Sequence, residues 1–198
     1  LLIYLFKVKF SDKESYLIKK DPNLGKIIKD NGHLIFKPNK DNQFDSLVGI
    51  VISQFISTKA ANSIFQGIKN NFSTKNLNES NFKHLKVSDI KNLGLSTNKA
   101  KTIKELSDLF NNKKFIDLTK LESEELKTNL LSVFGIGPWS VNMFEIFCCG
   151  NLDIFSSKDA GLRLAMNKAG MVKPKSDWSV YDKYAKKWSP YKLSLIHI

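Results

Sequence analysis

With 198 residues, 42% of them hydrophobic, the chain is long enough for one domain or for two small lobes sharing a core, and its composition excludes a disordered polymer. No apolar run approaches the roughly 18 residues of a membrane helix, and the adjacent Cys148 and Cys149 can build neither a disulfide framework nor, alone, a zinc or iron–sulfur site. A formal net charge of +12 suits a polyanionic partner, yet lysine and asparagine dominate as AT-rich coding would also produce, so charge alone leaves both explanations open.

The first residues are apolar but lack the basic start and the cleavage site of a signal peptide. A reducing, cytoplasmic setting is expected, nucleoid-associated in a bacterium, and nothing suggests an oligomer, so a monomer is expected. The opening Leu1 in place of Met is what a chain truncated at one or both ends would show. Residues 3–10 alternate weakly, as a short strand or a frayed leader would. Ser11 with Glu14 reads as a capping box for a helix reaching about Lys20. A short helix over 24–30 should end at Asn31-Gly32. Residues 44–54 are apolar nearly throughout, which predicts a central buried helix. Ser57 can cap a helix to about Asn71, Ser88 a short one ended by Gly94, and Ser96 another through Phe110. Ser123 should open a further helix, and Gly150 should close the one that follows it. Helices over 159–169 and 178–188 complete an all-α reading.

Between the helix opened by Ser123 and the one closed by Gly150 runs Phe134-Gly135-Ile136-Gly137-Pro138-Trp139-Ser140. Gly135 and Gly137 tolerate positive φ and close approach of a ligand to the backbone. Pro138 suits the first position of the next helix, where its missing N–H costs nothing. A hairpin of this kind can present backbone N–H groups to a phosphate. Twenty positions beyond Trp139 stands Asp159. From its local sequence, Asp159 reads first as the N-cap of the helix after it, a role that does not exclude chemistry.

The hairpin, with the segment Asp153-Ile154-Phe155-Ser156-Ser157-Lys158-Asp159, resembles the helix-hairpin-helix (HhH-GPD) DNA glycosylase superfamily, specifically its DNA-3-methyladenine glycosylase II branch. Asp21-Pro22-Asn23-Leu24, Ser53-Gln54-Phe55-Ile56-Ser57, Leu93-Gly94-Leu95-Ser96 with Lys99-Ala100, and Trp188-Ser189-Pro190-Tyr191-Lys192 resemble further blocks of the branch, in the same order. The resemblance therefore covers most of the chain. It implies one all-α glycosylase domain over 1–198, in two lobes with the active site in the cleft between them. A helical lobe would span about 44–133, with the hairpin motif at about 123–149. The N- and C-terminal helices would form the other lobe.

The resemblance also implies the chemistry. A glycosylase turns its target nucleotide out of duplex DNA and breaks the C–N bond through an oxocarbenium-like sugar. Asp159 would be the carboxylate that stabilises that cation and activates water, with Asp153 a competing carboxylate better suited to ordering its loop. Bifunctional relatives carry a Schiff-base lysine where Trp139 stands. An indole cannot be that nucleophile, so monofunctional hydrolysis follows. Alkylated purines of the 3-methyladenine and 7-methylguanine type carry positive charge, which electron-rich rings attract. Trp139 would line the base pocket, with Tyr191 and Trp188 as weaker candidates, the competing reading for each being core packing. The family's further stacking aromatic would fall just past Ile198. Phe55, with Gln54, would be the wedge that fills the vacated stack, the competing reading being a core phenylalanine on a buried helix. Gly135, Ile136, Gly137, Ser140, Lys99, Lys158 and Lys192 would hold DNA phosphates. No cofactor is implied, beyond a monovalent cation that the Phe134 and Ile136 carbonyls could hold. The implied partner is double-stranded DNA containing alkylated bases, with no membrane. Two other readings stay open: a glycosylase of the same fold for deaminated or oxidised bases, and a non-catalytic helix-hairpin-helix DNA-binding module.

Overall fold

The computed structural model describes residues 10–115 and 117–192, so nearly all of the strand or leader expected over 3–10 lies outside the described residues. Every regular element among them is helical: α1 (Asp12–Lys20), α2 (Pro22–Asn31), α3 (Gln43–Ser53), α4 (Thr58–Asn71), α5 (Val87–Lys91), α6 (Thr97–Asn111), α7 (Ser123–Leu131), α8 (Pro138–Phe144), α9 (Ala160–Lys168) and α10 (Trp178–Ala185), with short 3-10 turns between and after them. They divide into two compact units. One is Pro38–Gly150; the other joins the chain on either side of it.

In the Pro38–Gly150 unit α3 is the centre. Phe44, Leu47, Val48, Val51 and Ile52 are all essentially buried, as an apolar-all-round helix must be. Ile103 and Leu106 of α6, Leu126 and Leu130 of α7, and Val141 and Phe144 of α8 belong to the same core. Each such side chain contributes about 1.5–3 kcal/mol on leaving water. Asp45 is buried within this apolar helix but is fully matched, paired to Lys69 at 2.9 Å and accepting the Leu77 N–H at 2.8 Å.

One start in this unit differs from expectation for a local reason. α5 begins after Lys86, not at Ser88, because the Asp89 carboxylate reaches back to the Lys86 N–H at 2.9 Å. α7 opens at Ser123 as expected, with Glu122 as its N-cap, and the Ser123 hydroxyl donates to the buried Glu145 carboxylate at 2.7 Å. The helix opened by Pro138 is α only to Phe144 and then widens to a π turn over Glu145–Cys149. There the Asn39 N–H takes the Phe147 carbonyl at 2.8 Å, the kind of outside partner that disturbs an i→i−4 ladder. Gly150 closes it in the left-handed conformation.

In the other unit, the Ser11–Glu14 capping box is complete. Glu14 also accepts from the Leu34 N–H and contacts His33, which fastens the chain beyond α2 onto the start of α1. Burial alone would raise the Glu14 carboxyl, but the Leu34 and Ser11 N–H groups and His33 outweigh it and hold it at about 2. α2 starts at Pro22, earlier than its apolar pattern, because Asp21 caps the Asn23 and Leu24 N–H groups and Pro22 fits N1. Leu17, Leu24, Ile28, Met166, Tyr181 and Trp188 form the core. Asp21 lies within it and accepts the Trp188 indole N–H at 2.8 Å, with Lys187 at 3.1 Å.

Candidate functional site

In the Pro38–Gly150 unit, α7 turns through Ser132–Gly137 into α8. Gly135 adopts φ +77, and a Cβ there would collide with the Thr102 hydroxyl on α6. Only glycine meets both demands. Gly137 is different. It is extended (φ −110), so its role is not positive φ; nothing lies within 4 Å of where its Cβ would stand, which leaves the backbone open to approach. Among the described residues, the Gly135 and Gly137 N–H groups make no hydrogen bond, whereas that of Ile136 is taken by the Val133 carbonyl at 3.1 Å. The Phe134 N–H points at both oxygens of Glu105, each 3.3 Å away. Of the donors expected here, those of the two glycines stay open, and the Ser140 N–H at the uncapped start of α8 joins them.

Beside the hairpin stands the turn that ends α3. Phe55 has φ +59, a region that costs a non-glycine residue about 1–2 kcal/mol, and its side chain is 102% exposed. A core phenylalanine is excluded. Gln54, expected as a second wedge, is not one: its side-chain amide donates to the Gly135 carbonyl and to Ser140 Oγ, both at 2.9 Å. Ser140 is in turn 2% exposed, so its hydroxyl serves Gln54 and is withdrawn from any phosphate. The Lys99 ammonium donates to the carbonyls of Ile52 at 2.7 Å and Gln54 at 2.8 Å. Burial pushes its pKa down. It faces the turn's carbonyls instead of acting as a free phosphate contact. Trp139 is half-buried and packs on the core of this unit.

In the other unit Asp159 is the N-cap of α9, with Oδ1 accepting the Leu162 N–H at 2.8 Å. Gly161 leaves that oxygen room, since a Cβ there would lie 3.3 Å from it, and the cap bond gives the carboxylate its direction. Asp153, the competitor, is engaged: Oδ2 accepts from Ser189 Oγ at 2.8 Å and pairs with Lys192 at 3.1 Å. The expected phosphate contact Lys192 is thereby tied to a carboxylate. Lys158 lies 5.7 Å from the centre of the exposed Trp178 ring, with the Arg163 guanidinium 5.8 Å from it.

Of the base-pocket rings in this unit, Tyr191 is half-buried and meets Tyr16 edge-on at 5.5 Å. Trp188 is corrected outright. It is wholly buried, and its N–H is held by Asp21, so it is a core residue and cannot stack on a base. Glu105, Thr102 and the Lys158–Trp178–Arg163 stack were not anticipated. No sequence spacing announces them, because each meets its partner from a different helix or across a loop.

Two helices joined by a glycine-gated hairpin, with an exposed aromatic turn tethered to it, define a helix-hairpin-helix protein. The family model described as "HhH-GPD superfamily base excision DNA repair protein" matches residues 48–190, and the chain belongs to that superfamily. It is similar to the DNA-3-methyladenine glycosylase of Saccharomyces cerevisiae, at 27% identity over 93% of this chain and 76% of that protein. It is also similar to the alkylbase DNA glycosidase-like protein mag2 of Schizosaccharomyces pombe, at 25% identity over 90% of this chain and 87% of that one. Among solved structures, the S. pombe 3-methyladenine DNA glycosylase Mag1 in complex with abasic DNA shares the fold with a TM-score of 0.83 and 21% identity, over 94% of each chain.

Proposed function

We propose that the protein is a monofunctional DNA glycosylase that hydrolyses the N-glycosidic bond of alkylated purines in duplex DNA, 3-methyladenine first among them, as in the glycosylase II branch. Membership of a base excision repair superfamily supports the class, and the names of the relatives support the substrate. The observation that carries the reading is Phe55, an aromatic side chain held entirely in solvent on a strained turn beside the hairpin. A fold keeps such a residue for a partner with flat faces to stack on, which duplex DNA supplies.

In this reading the Gly135 and Gly137 N–H groups grip a phosphate while Phe55 enters the stack vacated by the flipped nucleotide. The Phe134 and Ile136 carbonyls would hold a monovalent cation, and the Glu105 carboxylate on the Phe134 N–H adds the negative charge that fits one. An electron-rich ring, Trp139 first among the candidates, stacks on the cationic base. The base departs with the bonding electrons and becomes neutral, and Asp159 stabilises the oxocarbenium left on the sugar. Water adds to that carbon, its proton passing to the carboxylate, and an abasic site remains. With an indole at position 139, no imine forms and no strand is cut.

The test is release of free base from methylated duplex DNA by the intact chain and by Asp159→Asn, with the strands examined for breaks. The reading expects methylated purine from the intact chain, none from the variant, and unbroken strands until alkali is added. Binding without release by the intact chain would leave a DNA-binding module instead.

A further inference from the structure

The turn that carries Phe55 does not hold itself. Its own backbone bonds are long, Gln54 N–H to the Val51 carbonyl at 3.4 Å and Ile56 N–H to that of Ser53 at 3.5 Å. Two side-chain ties hold it instead, one coming in from α6 and one going out to the hairpin. The Lys99 ammonium takes the Ile52 and Gln54 carbonyls, and Gln54 reaches across to the hairpin. Lys99 does this from an unfavourable place. It sits in the first turn of α6, where the helix dipole opposes a cation, and it is partly stripped of water with no carboxylate paired to it among the described residues. A neutral side chain would be easier to keep there unless the two carbonyls needed a donor. Both carbonyls precede the residue that departs from ordinary backbone geometry, and that of Gln54 belongs to the peptide unit about which φ of Phe55 is set, so fixing them restricts the turn just before that residue.

We infer that Lys99 is a positioning residue for DNA intercalation: by pinning the Ile52 and Gln54 carbonyls it keeps the turn in the conformation that projects Phe55 into the helix stack. The inference rests on the glycosylase reading and adds to it a residue that never touches the reacting atoms.

A double-mutant cycle on methylated DNA tests it. Lys99→Met should slow base release from duplex by about tenfold, the scale of one charge-assisted hydrogen bond lost at the step it supports. Release from single strands, where there is no stack to fill, should be unchanged. In a Phe55→Ala background, Lys99→Met should add nothing, because its effect runs through the ring already removed. Fluorescence of 2-aminopurine beside a stable abasic analogue should change on binding of the intact chain and much less with either variant. An additive cycle, or equal losses on single and double strands, would overturn the inference and leave Lys99 as ordinary support for α3. If Lys99→Met does not fold, Lys99→Gln, which keeps one donor, runs the same cycle. Failure of the glycosylase reading is a separate result: no base from the intact chain on any DNA. The fluorescence arm needs only DNA binding and still decides the role of Lys99 in that case.

Discussion

The starts of α8 and α9 are built from opposite materials. α8 opens with Gly137 and Pro138, with no side chain capping it, and the N–H groups of Gly135 and Gly137 before it are left without partners among the described residues. α9 opens with Asp159, whose carboxylate satisfies the Leu162 N–H from within the chain. On the proposed reading, the first is where an anion from outside completes the hydrogen bonding. The second already holds its negative charge, fixed in direction by the cap. A helix start can therefore receive a phosphate or aim a carboxylate, and the residue at the N-cap decides which.

The largest break in that comparison comes from removing the aimed charge while keeping the cap. Asp159→Asn should lower base release by about 100-fold or more, the ordinary scale of a lost catalytic carboxylate, with melting temperature nearly unchanged because Asn caps as well as Asp. Release at the intact chain's rate would return Asp159 to a purely structural role. Glu14 is the contrasting carboxylate of the same unit, held at about 2 by backbone donors and by His33. Its folded pKa lies below the ordinary 4.5, so its contribution is complete above that value and disappears as pH falls toward 2. Glu14→Gln should therefore lose about 2–3 kcal/mol of unfolding free energy at neutral pH, with the gap closing in acid, as denaturant melts at the two pH values will register.

Within the Pro38–Gly150 unit, Phe55→Gly should separate function from stability. Release from duplex DNA should fall about tenfold, while unfolding free energy should rise by about 1 kcal/mol as the left-handed strain is relieved. A stability loss would mean that the ring packs somewhere. The smallest effect is expected of Trp188→Phe. It should cost about 1–2 kcal/mol of stability through the lost bond to Asp21 and leave release per folded molecule intact. Trp139→Ala should slow release instead, and equal kinetics for the two would break the assignment of the base-stacking ring.

Much of the helical order was legible because local signals produce it. The Ser11–Glu14 capping box, the Ser57 and Ser96 caps, Pro138 at N1 and Gly150 at the close each act within one turn of their own position, so reading them needs no fold. The all-apolar α3 was legible for the same reason, since a helix without a polar face must be covered. Ser88 misled because a serine and an acidic residue compete for one helix start, and only the built turn shows that Asp89 wins. The site was legible in parts: the hairpin glycines and Asp159 stand out in the chain, but what their neighbours do does not.

By itself, then, the sequence determined where most of the helices lie, which helix is buried, where a glycine-gated hairpin lies and which carboxylate follows it. Tertiary structure alone decided that Phe55 stands in solvent with φ +59, that Gln54 and Ser140 face each other, that Lys99 holds carbonyls, and that Trp188 is core. The division is physical. Caps and hydrophobic patterns act over a turn of backbone, whereas a lysine 45 residues from the carbonyl it serves finds that carbonyl only after the core has packed.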